Sequence, residues 1–184
     1  VLLLTMDGPD GGTRFTDLVG NNSIIPIGAA QTRTTQSKSG GSALSLDGSS
    51  YLRCNTLAAK LVSTYTMEGW FYLTALLPGQ NQLFGLYDAV GENVLVVTSG
   101  LVFGANIATG GYTDVALNGW HHVAACRQPT LTTVWIDGAL VASRTSSDYV
   151  IQGDAIFTIG QDFDVGLAET DYMQGYVDYF SVTN

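Results

Sequence analysis

The chain has 184 residues, of which 12% are charged, with 22 glycines, three Glu and two Lys; a chain of this length suits one domain, residues 1–184, that buries roughly 70% of the surface its unfolded form exposes. So few ionised groups among so many turn formers exclude long surface helices, which need Glu, Lys and Arg on their outer faces, and predict an all-β sandwich or barrel. The net charge of −9, with seven Lys and Arg scattered from Arg14 to Arg144, argues against nucleic acid as a partner, and no apolar run approaches the ~18 residues of a membrane span.

Val1 to Met6 reads as a short strand ended by Asp7, Gly8, Pro9, Asp10, Gly11 and Gly12, a run that continues neither helix nor strand. Thr13 to Ser42 is polar, broken by Ile24, Ile25 and Ile27, and predicts loops around one short strand. Leu44 and Leu46, the turn residues Asp47 and Gly48, and Tyr51 to Cys54 predict a hairpin. Leu57 to Val62 suits a single helical turn. Tyr65 to Leu73 alternates clearly, placing Met67, Phe71 and Leu73 on one face and Glu68, Trp70 and Tyr72 on the other. The first set is core; the second suits a partly wet, concave sandwich face or an aromatic layer under a loop. Leu83–Tyr87, Val94–Thr98, Leu101–Ala105 and Tyr112–Leu117 follow at hairpin spacing and predict a meander. Trp120 to Ala124 then leads to a hairpin whose Asp137-Gly138 turn sets Ile136 opposite Ala139, Trp135 opposite Leu140 and Val134 opposite Val141. Ala155–Ile159 and Tyr176–Val182 supply the last strands. Strands in this number predict a two-sheet antiparallel jelly roll.

The residues with chemical potential are few. Cys54 and Cys126 each sit inside a predicted strand and read as two free thiols packed as small hydrophobes, the alternative being a bridge, which needs those strands to bring their Cα atoms within about 7 Å. His121 and His122 are adjacent on a strand, so their imidazoles point to opposite faces and do not grip one ion; both read as framework. No Gly-x-Ser-x-Gly turn supports a serine nucleophile. Thirteen Asp against three Glu favour the short carboxylate that loops use for turns and for calcium. Asp178 alternates with Phe180 and Val182, so unless a bulge intervenes its carboxylate faces apolar surroundings and requires a partner, a cation or backbone amides. The loop acids Asp162, Asp164, Glu169 and Asp171 lack the EF-hand arrangement and read as a solvated loop. For a sugar, Trp70 and Tyr72 beside Glu68, with Asn106 and Tyr112, offer aromatic faces for the apolar side of a pyranose and polar groups for its hydroxyls.

In their order, Leu2 to Gly8 with Phe15 to Asp17, Ser37 to Gly48 with Tyr51 and Leu52, Thr66 to Tyr72, Trp120 to Ala124, Val134 to Ala142, Ile159-Gly160 and Gly175 to Thr183 make the chain resemble, nearly end to end, the laminin-G-like, concanavalin A-like jelly-roll superfamily. The branch it resembles is frequent in bacteriophage virion proteins and bacterial surface proteins. The resemblance implies two antiparallel sheets with a concave face and binding loops at one rim. It also implies a structural calcium ion between the last strand and the first, with Asp178 as the last-strand acid and Asp7 and Asp47 approaching from neighbouring turns; these two equally suit plain Asx turns. The rim loop with Asp162 and Asp164 then binds ligand, with Phe163 and Tyr172 as a stacking surface. Laminarinase-type hydrolases of this fold carry Glu, Asp and Glu on one strand face, whereas Thr66–Leu73 offers only Glu68. The expectation is therefore a non-enzymatic, lectin-like virion module, tail-associated or capsid-decorating. Its partners are glycan or virion proteins, and it self-associates as virion parts do. A secreted bacterial glycan-binding or adhesion domain is the alternative, and a glycan hydrolase the third reading.

Overall fold

The computed structural model describes residues 1–78, 81–88, 91–97, 100–103, 106–108, 115–145, 154–161 and 171–184; at 88, 91–97, 100–103, 106–108 and 144 it describes the backbone alone. In chain order the strands are β1 (Leu2–Leu4), β2 (Ile24–Ile27), β3 (Gln31–Arg33), β4 (Ala43–Asp47), β5 (Tyr51–Cys54), β6 (Tyr65–Ala75), β7 (Gln82–Asp88), β8 (Gly91–Val97), β9 (Gly100–Phe103), β10 (Asn106–Ala108), β11 (Trp120–Arg127), β12 (Leu131–Ile136), β13 (Ala139–Thr145), β14 (Ile156–Ile159) and β15 (Gln174–Thr183). One turn of 3-10 helix, Ala58–Lys60, lies within the segment expected to be helical. The strands form two antiparallel sheets. The larger has eight strands in the order β13-β12-β11-β6-β15-β4-β3, with β1 added beside β15; the smaller has seven, β10-β9-β8-β7-β14-β5-β2. The expected all-β jelly-roll sandwich is thus what forms. No helix among the described residues is long and apolar enough to cross a membrane.

Alternation drives the layering. Met67, Phe71 and Leu73 of β6 are fully buried while Glu68, Trp70 and Tyr72 turn outwards, so one face of the larger sheet is committed to the core. Phe71 and Phe180 from that sheet meet Phe84 and Phe157 from the other, with ring centroids 5.7 Å (Phe71–Phe84), 5.1 Å (Phe84–Phe180) and 5.5 Å (Phe157–Phe180) apart. These are separations at which tilted and offset rings attract beyond their buried area. Strands β7 to β10 form the expected meander, except that the fourth strand is Asn106–Ala108. Of the strand expected at Tyr112–Leu117, residues 112–114 lie outside the described residues, and Leu117 makes an isolated bridge to Leu73.

Three expectations are corrected. The segments around Asp47-Gly48 do not pair as a hairpin: β4 joins the larger sheet beside β15, and β5 joins the smaller beside β14. Leu44 and Leu46 therefore face Leu52 and Cys54 across the core, and the turn, with Gly48 at φ 87°, carries the chain over the sandwich edge. A turn signal states that the chain reverses, not that its arms pair. The polar stretch before Ser42 contains two strands, the second being β3, whose buried Thr32 donates its hydroxyl to the Pro9 carbonyl. In the Asp137-Gly138 hairpin the first two cross-strand pairs are as expected, but a bulge after Val134 sets that residue opposite Ala142.

A further bulge separates Asp178 from Ser181, with Tyr179 at φ 47°. It lets β15 pair with β4 over Gln174–Val177 and with β1 over Phe180–Val182. The first strand is latched by Asp17, whose carboxylate accepts the N–H groups of Leu3, Val19, Gly20 and Asn22 and the Asn22 side-chain amide at 2.7–3.1 Å. Burial by itself raises this carboxyl; the amide donors outweigh it and bring it down to about 2. Cys54 is buried in the smaller sheet and Cys126 lies in the larger, opposite Thr66, and both are free thiols.

Candidate functional site

The outward face of the larger sheet gathers the aromatic residues of three adjacent strands. Antiparallel register fixes the neighbours: on β6, Tyr72, Trp70 and Glu68 stand opposite Trp120, His122 and Ala124 of β11 on one side, and opposite Tyr176, Asp178 and Ser181 of β15 on the other. Residues directly opposite share a face. The rings pack as a strip, with Tyr72–Trp120 centroids 5.5 Å apart, Tyr72–Tyr176 6.0 Å and Trp70–His122 5.2 Å. All five are half-buried, so their edges and part of their faces meet solvent.

Polar groups border the strip. His122 Nε2 lies 3.4 Å from Glu68 Oε2, and the Ser181 hydroxyl donates to Glu68 Oε1 at 3.4 Å. The segment before β4 crosses the face: Thr35 Oγ1 is 3.4 Å from the Tyr176 hydroxyl, and Lys38 Nζ stands 4.0 Å from the centre of the Trp70 ring. Both expected settings of Glu68, Trp70 and Tyr72 therefore hold in part, a wet sheet face with an aromatic layer partly under a loop. His121 points to the other side of β11, where its Nδ1 is 2.7 Å from Asp137 Oδ2 while Asp137 Oδ1 accepts the His122 N–H. Burial raises the Asp137 carboxyl, but the His121 bond and the His122 amide bring it below its usual value. The two histidines do serve different faces, one framing the hairpin and the other completing the strip.

Trp120, His122, Tyr176 and Lys38 are the members that sequence reasoning missed. Alternation puts Trp120 and His122 on one side of β11, yet only the strand order places that side beside Trp70 and Tyr72. Of the residues expected here, Asn106 is not brought in. It lies on β10, at the far edge of the smaller sheet, and its side chain is outside the described residues, as is Tyr112. Asp162 and Asp164, with Phe163 and Glu169, are outside them too. Tyr172 packs against Tyr51 at 6.3 Å between centroids, and the Asp171 carbonyl accepts the Gln82 N–H, so the last part of that acidic loop is fastened to the smaller sheet.

The acids expected to hold calcium are only partly assembled. The bulge after Asp178 intervenes, and the carboxylate turns to the Trp70 face, where Oδ2 accepts the N–H groups of Lys38 at 2.7 Å and Ser39 at 2.8 Å. The residue is fully buried, and Oδ1 has no hydrogen-bond partner. Burial raises its carboxyl, the backbone amides of Ser39, Lys38 and Tyr179 lower it, and the charge of Asp7 raises it again. Asp7 is thus close enough to act on it, and its Oδ1 accepts the Gly41 N–H from the same segment. Asp47 is not part of this group: opposite Gln174 and four residues up β15, it accepts the Ser49 N–H and hydroxyl in its own turn. Among the described residues no three His, Cys, Asp or Glu side chains are grouped to hold a metal. A buried carboxylate oxygen without a partner, near the charge of a second carboxylate, has the donor chemistry of a hard-cation site whose shell backbone carbonyls and water would complete.

A family model of the laminin-G type, described as the concanavalin A-like lectin/glucanases superfamily, matches residues 46–184. No curated protein sequence gives a match. Among solved structures the chain is similar to domain 4 of AbnA, a GH43 extracellular arabinanase from Geobacillus stearothermophilus, in complex with arabinotriose; the TM-score is 0.75 at 21% identity, over 98% of this chain and 90% of that one. It is also similar to Trypanosoma rangeli sialidase in complex with sialic acid, with TM-score 0.71 at 15% identity, over 98% of this chain and 30% of that one. A third is the binding domain of botulinum neurotoxin DC in complex with SialylT, with TM-score 0.61 at 12% identity, over 99% and 46%. At these identities the likeness is one of fold.

Proposed function

Since the chain belongs to the concanavalin A-like lectin/glucanases superfamily, we propose that it is a carbohydrate-binding module that holds glycan on the outward face of its larger sheet and does no chemistry on it. The observation that carries this reading is the half-buried strip Trp70, Tyr72, Trp120 and Tyr176, bordered by Glu68, His122 and Ser181. Aromatic faces stack on the apolar side of a pyranose while carboxylate, imidazole and hydroxyl groups pair with its hydroxyls. The similarity to a domain solved with arabinotriose is in keeping with it. A binding role is favoured over hydrolysis because Asp178, which stands across from Trp70 on the neighbouring strand, is buried and clamped by amides, and so is not a solvent-facing second acid for Glu68.

The test is a glycan array followed by calorimetry on the best ligand. Trp70→Ala and Tyr72→Ala should each weaken binding by about tenfold or more, with melting temperature recorded to separate binding from folding. Unchanged affinity in either variant refutes the site. Release of reducing sugar by the purified protein, lost in Glu68→Gln, refutes the non-enzymatic part.

On the sequence resemblance alone, we propose that the module is displayed on a virion, as a tail-associated or capsid-decorating protein in a symmetric assembly, and serves surface attachment or particle stabilisation. Stoichiometric recovery from purified particles supports this placement; recovery only from a bacterial culture supernatant supports a secreted adhesion domain instead. One structural calcium ion, held in part by Asp178 and Asp7, belongs to the same proposal.

A further inference from the structure

We propose that the site selects acidic sugars and that Lys38 is the residue that recognises their carboxylate. The inference rests on the glycan-binding reading of the aromatic face and names the ligand class within it.

Three observations lead there. First, the ammonium is placed rather than adrift: the backbone N–H groups of Lys38 and Ser39 are fixed by Asp178 Oδ2 at 2.7 and 2.8 Å, and the side chain then lies across the sheet with Nζ 4.0 Å from the Trp70 ring centre. Second, the charge is unspent. Among the described residues no carboxylate lies within ion-pair distance of Lys38, whereas Arg33 is paired with Asp10 at 3.1 Å and Lys60 bonds the Gly20 carbonyl. Third, the acids near it do not pair with it. Asp178 is buried beneath the segment that carries Lys38, and Glu68 contacts His122 and Ser181 instead, each at 3.4 Å.

What a ligand meets at the middle of the strip is therefore an exposed ammonium on an indole, in a chain whose net charge is −9. A cation over an aromatic face is partly desolvated and held in place, so a carboxylate reaching it forms a charge-assisted hydrogen bond at little ordering cost. The sugar ring would lie on Tyr72, Trp120 and Tyr176 with its carboxylate directed at Lys38. A neutral sugar, by contrast, leaves the ammonium without a counter-charge.

The experiment uses an array that carries neutral glycans beside their sialylated and uronic-acid-containing counterparts, probed with wild-type protein, Lys38→Met, Lys38→Arg and Trp70→Ala. The methionine keeps an unbranched side chain of similar reach and removes the charge. Lys38 is exposed, and its backbone N–H stays available to Asp178, so the fold is not at stake. The expected result is that wild type binds the acidic member of a pair about tenfold or more tighter than the neutral one. Lys38→Met should remove the difference in affinity between the acidic and the neutral member, and Lys38→Arg should keep most of it. The preference should also shrink as salt rises from about 50 to 500 mM, as a solvent-facing charge pair is screened. Equal wild-type binding of acidic and neutral members, or equal loss of both in Lys38→Met, overturns the role of Lys38; the glycan-binding reading then survives if Trp70→Ala still weakens binding. No binding to any glycan, or full binding by Trp70→Ala, overturns that reading and this inference with it.

Discussion

Replacing Asp17 by Asn tests whether the first strand is held by charge. The carboxylate accepts four backbone N–H groups and one amide N–H, three of them on Oδ2 and two on Oδ1. Bringing a buried carboxyl from 3.8 down to about 2 corresponds to about 2 kcal/mol of folding free energy at neutral pH. Asparagine removes that charge and turns one NH2 towards N–H donors it cannot accept, so the total loss should be about 3 kcal/mol. For a chain of this size that lowers the melting temperature by about 6–12 °C. The unfolded carboxyl titrates near 3.8 and the folded one near 2; the contribution is therefore complete above about pH 5 and is lost as pH falls through the folded value. Urea unfolding of both proteins between about pH 2 and 7 should show a gap of about 3 kcal/mol at pH 7 that narrows towards pH 2. Other acids titrate over the same range, but they cancel in the difference. A gap below about 0.5 kcal/mol at pH 7, or one that stays constant with pH, refutes the argument.

Gly175→Ala should be far more damaging than Gly138→Ala. Gly175 has φ 152° and an added Cβ would run into the Tyr72 carbonyl oxygen, whereas Gly138, at φ 80°, opens on empty space; losses of about 3 and 1 kcal/mol by urea unfolding are expected. Phe180→Ala removes the ring against which Phe71, Phe84 and Phe157 pack and should cost about 3–5 kcal/mol. Millimolar calcium in place of chelator should raise the melting temperature by about 5–10 °C if the ion is near 100 times its dissociation constant; Asp178→Asn should abolish the rise, and an unmoved wild-type melting temperature removes the site. Reductant should leave the melting temperature unchanged, since Cys54 and Cys126 do not pair.

The layering was legible in the sequence because it is written in a period of two. The two faces of β6 come out as Met67, Phe71 and Leu73 against Glu68, Trp70 and Tyr72, and burial follows them residue by residue. Pairing was less legible. Nothing local distinguishes a turn that makes a hairpin from one that crosses between sheets, so Asp47-Gly48 misled while Asp137-Gly138 did not. β3 passed unseen because Gln31, Thr32 and Arg33 are all polar, and their place is set by β4 alongside. The candidate site suffered most, since it is built across strands. Trp70 and Tyr72 were identified from one strand, but their neighbours on β11 and β15 depend on strand order. Asp178 depends on a bulge at a tyrosine with positive φ, a conformation that its sequence does not advertise.

The pairing of β1 with β15 has a mechanical side. The Val1 nitrogen donates to the Val182 carbonyl at 2.8 Å, so residues 1 and 182 lie side by side. Tension applied through residues 1 and 184 would open the antiparallel pair like a zipper, one contact after another, instead of shearing its three residue pairs at once. The first strand would yield at low force while the larger sheet, with β15 still bound to β6, kept the aromatic strip intact. A neighbouring segment joined there would gain a few nanometres of reach before the sugar-facing surface was disturbed.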